Sequence, residues 1–429
     1  MLERFITDNQ NADVAQLALQ RNRYPMLSDS DFRFALQQIE GRQRTRDKLP
    51  TFAAIDGWLY PPRLNLEQCS SERTAHFKAS LLSTLNAQPS TSLNAQLSTS
   101  LNPQLSTFNL IDATGGYGVD TFFMSEQAAQ THYFEQNADL AAIAEHNFRL
   151  AGKTIHCHPA PFTLQSLSTF DFRLSTIIYL DPARRDSHGG KVFRLEDCTP
   201  NVIDIIRQIR AIRTEQQIRV LLKLSPMLDF HQAVRQLGGA WDVYAVSVNG
   251  EMKELLLLSE GSGKVNAVML SDDSEQVFTF TPDEESRAEV QYLPAEVSLA
   301  GMFVYEPDAA LLKAGAFRLI SARYRLMKAA LNTHLYFADT NQTFDCKGRT
   351  WQIMAVYTRV KDVQRALACA GVTHINVLAR NYVLPADALR KQFRLKDGGD
   401  DYIIGCRAGE AGAGQPILLH CKRVENVQG

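Results

Sequence analysis

Cysteine is sparse and unpaired in this 429-residue sequence. Seven residues, at 69, 157, 198, 346, 369, 406 and 421, are odd in number and never form a Cys-x-x-Cys pair. That argues against a disulfide framework or a zinc site and fits reduced thiols in a cytoplasm. Long apolar runs are missing too: no stretch reaches about 18 apolar residues, so no membrane span is expected. The opening MLERFITDNQNADVAQLALQ has early acids and no continuous apolar centre, so it does not read as a signal peptide. An excess of one charge is also absent. Lys and Arg number 45 and Asp and Glu 47, for a net charge of −2. A polybasic grip on nucleic acid by the whole chain is thereby excluded, while a local basic face stays open. What remains is ordinary for a globular protein, 45% hydrophobic and 21% charged. The length admits roughly two to four domains.

Residues 1–66 read as an N-terminal helical region. Apolar residues recur at helical spacing, Asp29 or Ser30 is a candidate cap, and Pro61-Pro62 ends the run. Residues 67–83 look like an amphipathic helix capped by Ser70 or Ser71. The stretch 84–107 then holds three copies of an octapeptide, LNAQPSTS, LNAQLSTS and LNPQLSTF. Its polarity and short period predict a surface insertion without fixed structure or function, since long loops cost little closure entropy.

From 108 to 260 strand and helix alternate, with strands expected at 108–113, 131–135, 154–158, 176–181, 219–224, 243–248 and 254–258. Such alternation implies a mostly parallel sheet with right-handed crossovers. Residues 261–345 read as a mixed α+β segment with one long helix over 307–331. Residues 346–429 read as a second small α+β module.

The densest signal is Asp112-Ala-Thr-Gly-Gly-Tyr-Gly-Val-Asp120, after an apolar strand and before a helix. Glycines 115, 116 and 118 permit a sharp turn and close approach of the backbone to a ligand. The turn lies at the carboxyl end of the first strand, where open α/β sheets bind ligands. Its spacing is Gly-Gly-x-Gly, and Asp112 would repel a pyrophosphate. It suits a cationic ligand such as S-adenosylmethionine. Glu135, in Tyr133-Phe-Glu-Gln-Asn137, is placed at the end of the second strand to bind ribose hydroxyls. The apolar strand 177–180 ends in Asp181-Pro-Ala-Arg-Arg-Asp186. That carboxylate is expected opposite the glycine turn, with Pro182 stiffening the loop.

Together these residues resemble the class I S-adenosylmethionine-dependent methyltransferases over about 67–260. DATGGYGVD is similar to their motif I, YFEQN to the acidic second-strand motif and YLDPARRD to the fourth-strand motif. More narrowly, GYGVDTFFMS, LDPARRD, VNGEMKELLLL, YEPDAALLKAG and VLARNYVLPADALRKQFRLKDGG resemble bacterial methyltransferases with a C-terminal THUMP-like domain. The resemblance implies an α/β fold: a Rossmann-like methyltransferase sheet at 67–260, a ferredoxin-like segment at 261–345 and a THUMP-like domain at 346–429. It implies S-adenosylmethionine as cofactor and an RNA substrate, tRNA or rRNA. A protein or small-molecule substrate, and an RNA-binding protein with a vestigial fold, are the alternatives.

The residue roles expected on that basis are these. Asp112, Thr114, Gly115, Gly116 and Gly118 hold the methionine part. Glu135 with Gln136 holds the ribose, and main chain near Ala160 or Phe162 holds the adenine, because the third strand runs into Pro-Ala-Pro-Phe without an acid. Asp181 and the carbonyls beside Pro182 orient the nucleophile, with Asp181 a candidate proton acceptor, and Arg184 and Arg185 contact substrate phosphate or pair with Asp186. Leu224 stands where pyrimidine-carbon methyltransferases carry a cysteine, so N- or O-methylation is expected over a covalent mechanism. In the last module basic residues outnumber acids, and Arg390, Lys391 and Arg394 form a candidate RNA patch. His156 and His158 share a strand face but lack a third ligand in the sequence, so no metal is expected. Ser70, Ser71 and Lys78 read as capping or surface residues, with a place bordering the cofactor pocket from the N-terminal side as the alternative.

Overall fold

The computed structural model describes residues 1–86, 108–167, 174–184, 195–212, 218–294, 297–342, 346–409 and 414–424. The octapeptide insertion, apart from its first three residues, and Arg185 therefore lie outside the described residues. The chain divides into two compact units, Met1–Ala240 with Leu256–Glu260, and Trp241–Leu255 with Gly261–Gly429.

The first unit is built on five parallel strands: β1 (Phe108–Asp112), β2 (Gln130–Phe134), β3 (His156–His158), β4 (Ser175–Leu180) and, after a short antiparallel ladder of β5 (Ala183–Arg184) with β6 (Cys198–Thr199), β7 (Ile218–Leu224). Their order is β7-β4-β1-β2-β3, and each pairing is parallel. The expected strands agree with these to within a residue or two. β1 is buried at every position, as a strand covered on both faces must be. The chain runs outward from β1 through β2 to β3, then returns to β4 on the other side of β1. The topological switch point therefore falls between β1 and β4, the place where such sheets bind ligands. The helix Ala138–Leu150 that follows β2 starts where Asn137 Oδ1 accepts the N–H groups of Asp139 and Leu140.

The N-terminal helices belong to this same unit. The longest, Asp29–Thr45, is capped by Ser28 rather than by Asp29 or Ser30, because it is Ser28 whose side chain accepts the Asp31 N–H. Trp58 Nε1 donates to Tyr117 Oη at 2.7 Å and Phe52 stacks on Trp58, so the segment before the prolines anchors against the glycine-turn region. Leu59 is bound twice by Asn147, through its N–H and its carbonyl.

The second unit opens with β8 (Trp241–Val248). β9 (Glu251–Ser259) is the strand along which the chain passes between units. β8 pairs in parallel with β10 (Val265–Leu270), and β10 antiparallel with β11 (Glu275–Phe280). An eight-stranded sheet follows, from β12 (Gln291–Tyr292), β13 (Phe303–Pro307), β14 (Met327–Ala330), β15 (Thr333–Ala338), β16 (Gly348–Tyr357), β17 (Asn376–Arg380), β18 (Asp401–Ala408) and β19 (Gln415–Val424). Its order is β12-β14-β15-β13-β16-β19-β18-β17. One face buries Trp351, Phe337 and Ile404. Against Val377 and Ile403 the helices Val360–Cys369 and Ala386–Phe393 pack Val363, Leu367, Leu389 and Phe393.

The long helix expected over 307–331 does not form. Pro307 ends β13, Asp308 caps a helix of Ala309–Ala314, and Gly315 at φ 81° terminates it. A second helix, Phe317–Tyr324, stops at Arg325 with φ 53°, and the chain enters β14. Helical periodicity was present, but a left-handed residue after each helix breaks the run. No described helix is long and apolar enough to cross a membrane.

Candidate active site

Asp112 is the last residue of β1, and the turn that follows is braced by an acid on each side. Asp112 Oδ1 accepts the Thr114 N–H at 3.0 Å, while its other oxygen takes a very short hydrogen bond from Thr121 Oγ1. Across the turn, Glu135 Oε2 accepts the Gly116 N–H at 2.9 Å and Oε1 the Asn137 N–H at 2.7 Å. Thr114 Oγ1 reaches the end of β4, accepting the Asp181 N–H at 2.6 Å. Asp112, Thr114, Gly116, Glu135 and Asp181 thus converge at the carboxyl ends of β1, β2 and β4.

The three glycines serve different physical needs. A Cβ on Gly115 would lie 2.0 Å from a Tyr133 ring carbon, and one on Gly118 2.5 Å from the Phe148 ring. Both are glycine because aromatic rings pack against the turn. Gly116 differs: it has φ 57°, and a Cβ there would meet nothing nearer than the Thr114 carbonyl at 3.8 Å. Its side of the turn is open, which leaves room for the close approach expected of the turn.

Asp112 itself is buried, 1% exposed. Burial pushes its carboxyl up to about 7, against the lowering effect of the Thr121 hydroxyl and the Thr114 N–H. The side chain is therefore first a brace for the turn. Gln136 is exposed next to Glu135. Phe162 is buried edge-on against Phe134 at 5.4 Å, and Phe134 stacks on His158 at 4.3 Å. Pro182 is half-buried, and the backbone of Arg184 pairs with Cys198.

Beneath these residues lies a charge cluster that sequence reasoning missed. Asp120 accepts the Tyr179 hydroxyl at 2.6 Å and the Ser70 hydroxyl at 2.8 Å. Lys78 Nζ sits 3.2 Å from Asp120 Oδ1 as a charge contact, and Lys223 Nζ 3.8 Å from Oδ2. Burial alone would raise the Asp120 carboxyl. Lys78 and Lys223, with the two hydroxyls, outweigh it and hold the group below its ordinary value. Lys223 then bridges to the rim, donating to Asp181 Oδ2 at 2.7 Å and to Ser70 Oγ at 3.0 Å. Lys78 is 0% exposed and Ser70 is buried, which corrects the surface reading; both instead join the charge cluster that reaches Asp181. Ser71 does accept the Thr74 N–H, as a cap would. The available signal was a lysine at the sixth position of the largely apolar β7, IRVLLKL, with an acid closing the glycine motif.

His132, His156 and His158 share a sheet face, and His132 Nδ1 lies 3.2 Å from His158 Nε2. Burial and the neighbouring imidazoles lower His132 to about 4. Among the described residues no group of three or more ligating side chains could hold a metal ion.

In the second unit, Arg390 lies on the helix Ala386–Phe393, ion-paired to both Asp387 at 3.3 Å and Asp397 at 3.2 Å. Lys391 and Arg394 are exposed. Two acids thus take up one charge of the expected patch.

Comparison with known proteins adds the following. Residues 348–423 match the family model described as THUMP domain-like, and residues 303–344 the model described as a ferredoxin-like domain. A crystal structure from Porphyromonas gingivalis W83, described as that of a candidate methyltransferase, is similar over 99% of this chain and 98% of its own, with 27% identity and a TM-score of 0.80. A Mycobacterium tuberculosis (strain CDC 1551 / Oshkosh) protein is 24% identical over 318 residues, 72% of this chain and 80% of its own length. It bears the name of an uncharacterized S-adenosylmethionine-dependent methyltransferase, as does the matching protein of strain H37Rv.

Proposed function

We propose that the chain is an S-adenosylmethionine-dependent methyltransferase and that its substrate is RNA. The observation that carries the first part is the glycine turn at the switch point, held by Asp112 on one side and Glu135 on the other, with the open side of Gly116 between them. The similarity in fold and sequence to the two proteins described above supports the same reading.

The residues present fit that cofactor. Bound there, S-adenosylmethionine supplies an electrophilic methyl group carried by a positively charged sulfur. Each Glu135 oxygen already takes one backbone N–H, which aims the remaining lone pairs at a pair of ribose hydroxyls. The turn 114–118 offers its backbone to the amino-acid end. Gln136 and Phe162 flank the positions where ribose and adenine would lie. Asp181, fixed through its own N–H by Thr114, and Pro182 orient the acceptor. The gain is alignment of the two reactants in a shaped site.

RNA is supported by the THUMP domain-like match and by basic side chains on that module. Lys361 and Arg365, four residues apart on one helix, are exposed, as are Lys391, Arg394, Lys396, Lys422 and Arg423. Such residues give a salt-dependent grip on phosphates.

Calorimetric titration tests the first part: saturable binding at up to millimolar S-adenosylmethionine is expected, weakened about tenfold or more in Glu135→Gln. Absence of binding in the wild type rejects the enzyme. For the second part, nucleosides from ribosomal and transfer RNA of a deletion strain are compared with the parent by mass spectrometry. An unchanged methylation profile rejects RNA as substrate.

A further inference from the structure

We propose that the atom methylated is a hydroxyl oxygen, of the ribose class if the substrate is RNA, seated at Asp181 and selected by the Lys223 charge beside it. The inference rests on the methyltransferase reading and adds the chemical class of the acceptor.

Asp181 is the one group of the charge cluster that reaches the rim. Its side chain is 38% exposed, against 13% for Lys223 and 0% for Lys78. Oδ2 is taken by Lys223, and among the described residues Oδ1 accepts no hydrogen bond. Asp181 therefore presents one free acceptor oxygen whose carboxylate is already paired with an ammonium 2.7 Å away. Lys78 faces Asp120 on the buried side.

That arrangement discriminates between nucleophiles. A neutral amine becomes cationic as it takes a methyl group, and a fixed ammonium behind the accepting carboxylate opposes that charge. A hydroxyl oxygen cannot hold such a charge and must give up its proton as the bond forms. As the hydroxyl shares its proton with Asp181 Oδ1 its oxygen gains negative character, which the Lys223 charge favours. The lone pair of the hydroxyl oxygen forms the new O–CH3 bond. The S–CH3 bond breaks with its electron pair staying on sulfur. The O–H proton passes to Asp181 Oδ1 and on to solvent. A weak base suffices, because the oxygen turns strongly acidic once the new bond is partly made. Among the described residues the equipment for the alternatives is missing. Arg184 stands where an Asn-Pro-Pro-Tyr type of motif carries the aromatic ring that stacks a base, and Leu224, buried at the end of β7, provides no thiol for carbon methylation.

The test uses the full-length protein, S-adenosylmethionine with a trideuterated methyl group, and an extract of a deletion strain separated into RNA, protein and small molecules. Mass spectrometry then identifies the linkage of the label. The expected product is a ribose ether, recovered as an alkali-resistant dinucleotide. Label on a base nitrogen or carbon overturns the hydroxyl assignment while keeping RNA. An ether outside RNA upholds the hydroxyl and rejects RNA as substrate. N-methylated protein, or no label in any fraction, overturns both. Lys223→Met is expected to lose about hundredfold or more of the incorporation, with cofactor affinity by calorimetry changed less than about threefold. Because that variant strips partners from buried carboxylates, Lys223→Arg and Asp181→Asn carry the same test in shapes close to the original. Arginine keeps the charge and should retain about a tenth or more of the activity, whereas Asp181→Asn should lose about as much as Lys223→Met. Loss in Lys223→Arg equal to that in Lys223→Met overturns the assignment of a charge effect.

Discussion

Thr114 Oγ1 accepts the backbone N–H of Asp181 at 2.6 Å, so a side chain of the glycine turn fixes the end of β4. This hydroxyl, with the Ala113 N–H that donates to the Tyr179 carbonyl, joins the two halves of the site, turn and acceptor end. Thr114→Val keeps the shape and leaves that N–H without its partner. A loss of about 1–3 kcal/mol in urea denaturation is expected, together with weaker cofactor binding by calorimetry. An unchanged denaturation midpoint would mean that the bond contributes nothing.

Glycines 115 and 116 should separate stability from binding. Gly115→Ala drives a methyl into the Tyr133 ring and is expected to cost about 1–3 kcal/mol. Gly116→Ala meets open space and carries only the strain of its left-handed backbone, about 1–2 kcal/mol. Its added methyl, however, stands on the ligand side and should weaken S-adenosylmethionine binding. Thermal denaturation and calorimetry on both variants check the pair. Full cofactor affinity in a folded Gly116→Ala would contradict the placement of the ligand.

Asp112 sets a pH dependence. Its carboxyl is raised by burial from an ordinary 3.8 to about 7, so the folded protein holds this proton more tightly than the unfolded chain. The stability this contributes is full below the ordinary carboxylate value and is lost as pH rises through about 7. Asp112→Asn has no proton to lose. Between those limits the wild type should lose stability with rising pH relative to the variant, as read by urea denaturation at a series of pH values. Parallel curves would show the carboxyl to be unperturbed.

Lys78→Met leaves Asp120 buried with Lys223 as its remaining cation, 3.8 Å away. A cost of about 3–5 kcal/mol is expected, since the uncompensated buried charge dominates. Lys78→Met combined with Asp120→Asn should recover part of it. A double variant as unstable as the sum of the singles would mean that the two residues do not interact.

Much of this molecule was legible as pattern. Alternating strands and helices from 108 onward, the Gly-Gly-x-Gly turn after an apolar strand, and acids at 135 and 181 follow from periodicity and from where strands end. These are local properties, because backbone geometry imposes a period of two on strands and a steric preference on turns. The break of the expected helix at Gly315 and Arg325 was less legible, since left-handed caps compete with apolar spacing. Tertiary structure alone decided that Lys78, Ser70, Asp120, Tyr179 and Lys223, up to 153 residues apart, meet under the site. In a linear sequence a lysine on an amphipathic helix looks like a solvated charge. It becomes part of a site only when folding removes its water and brings a carboxylate to replace it.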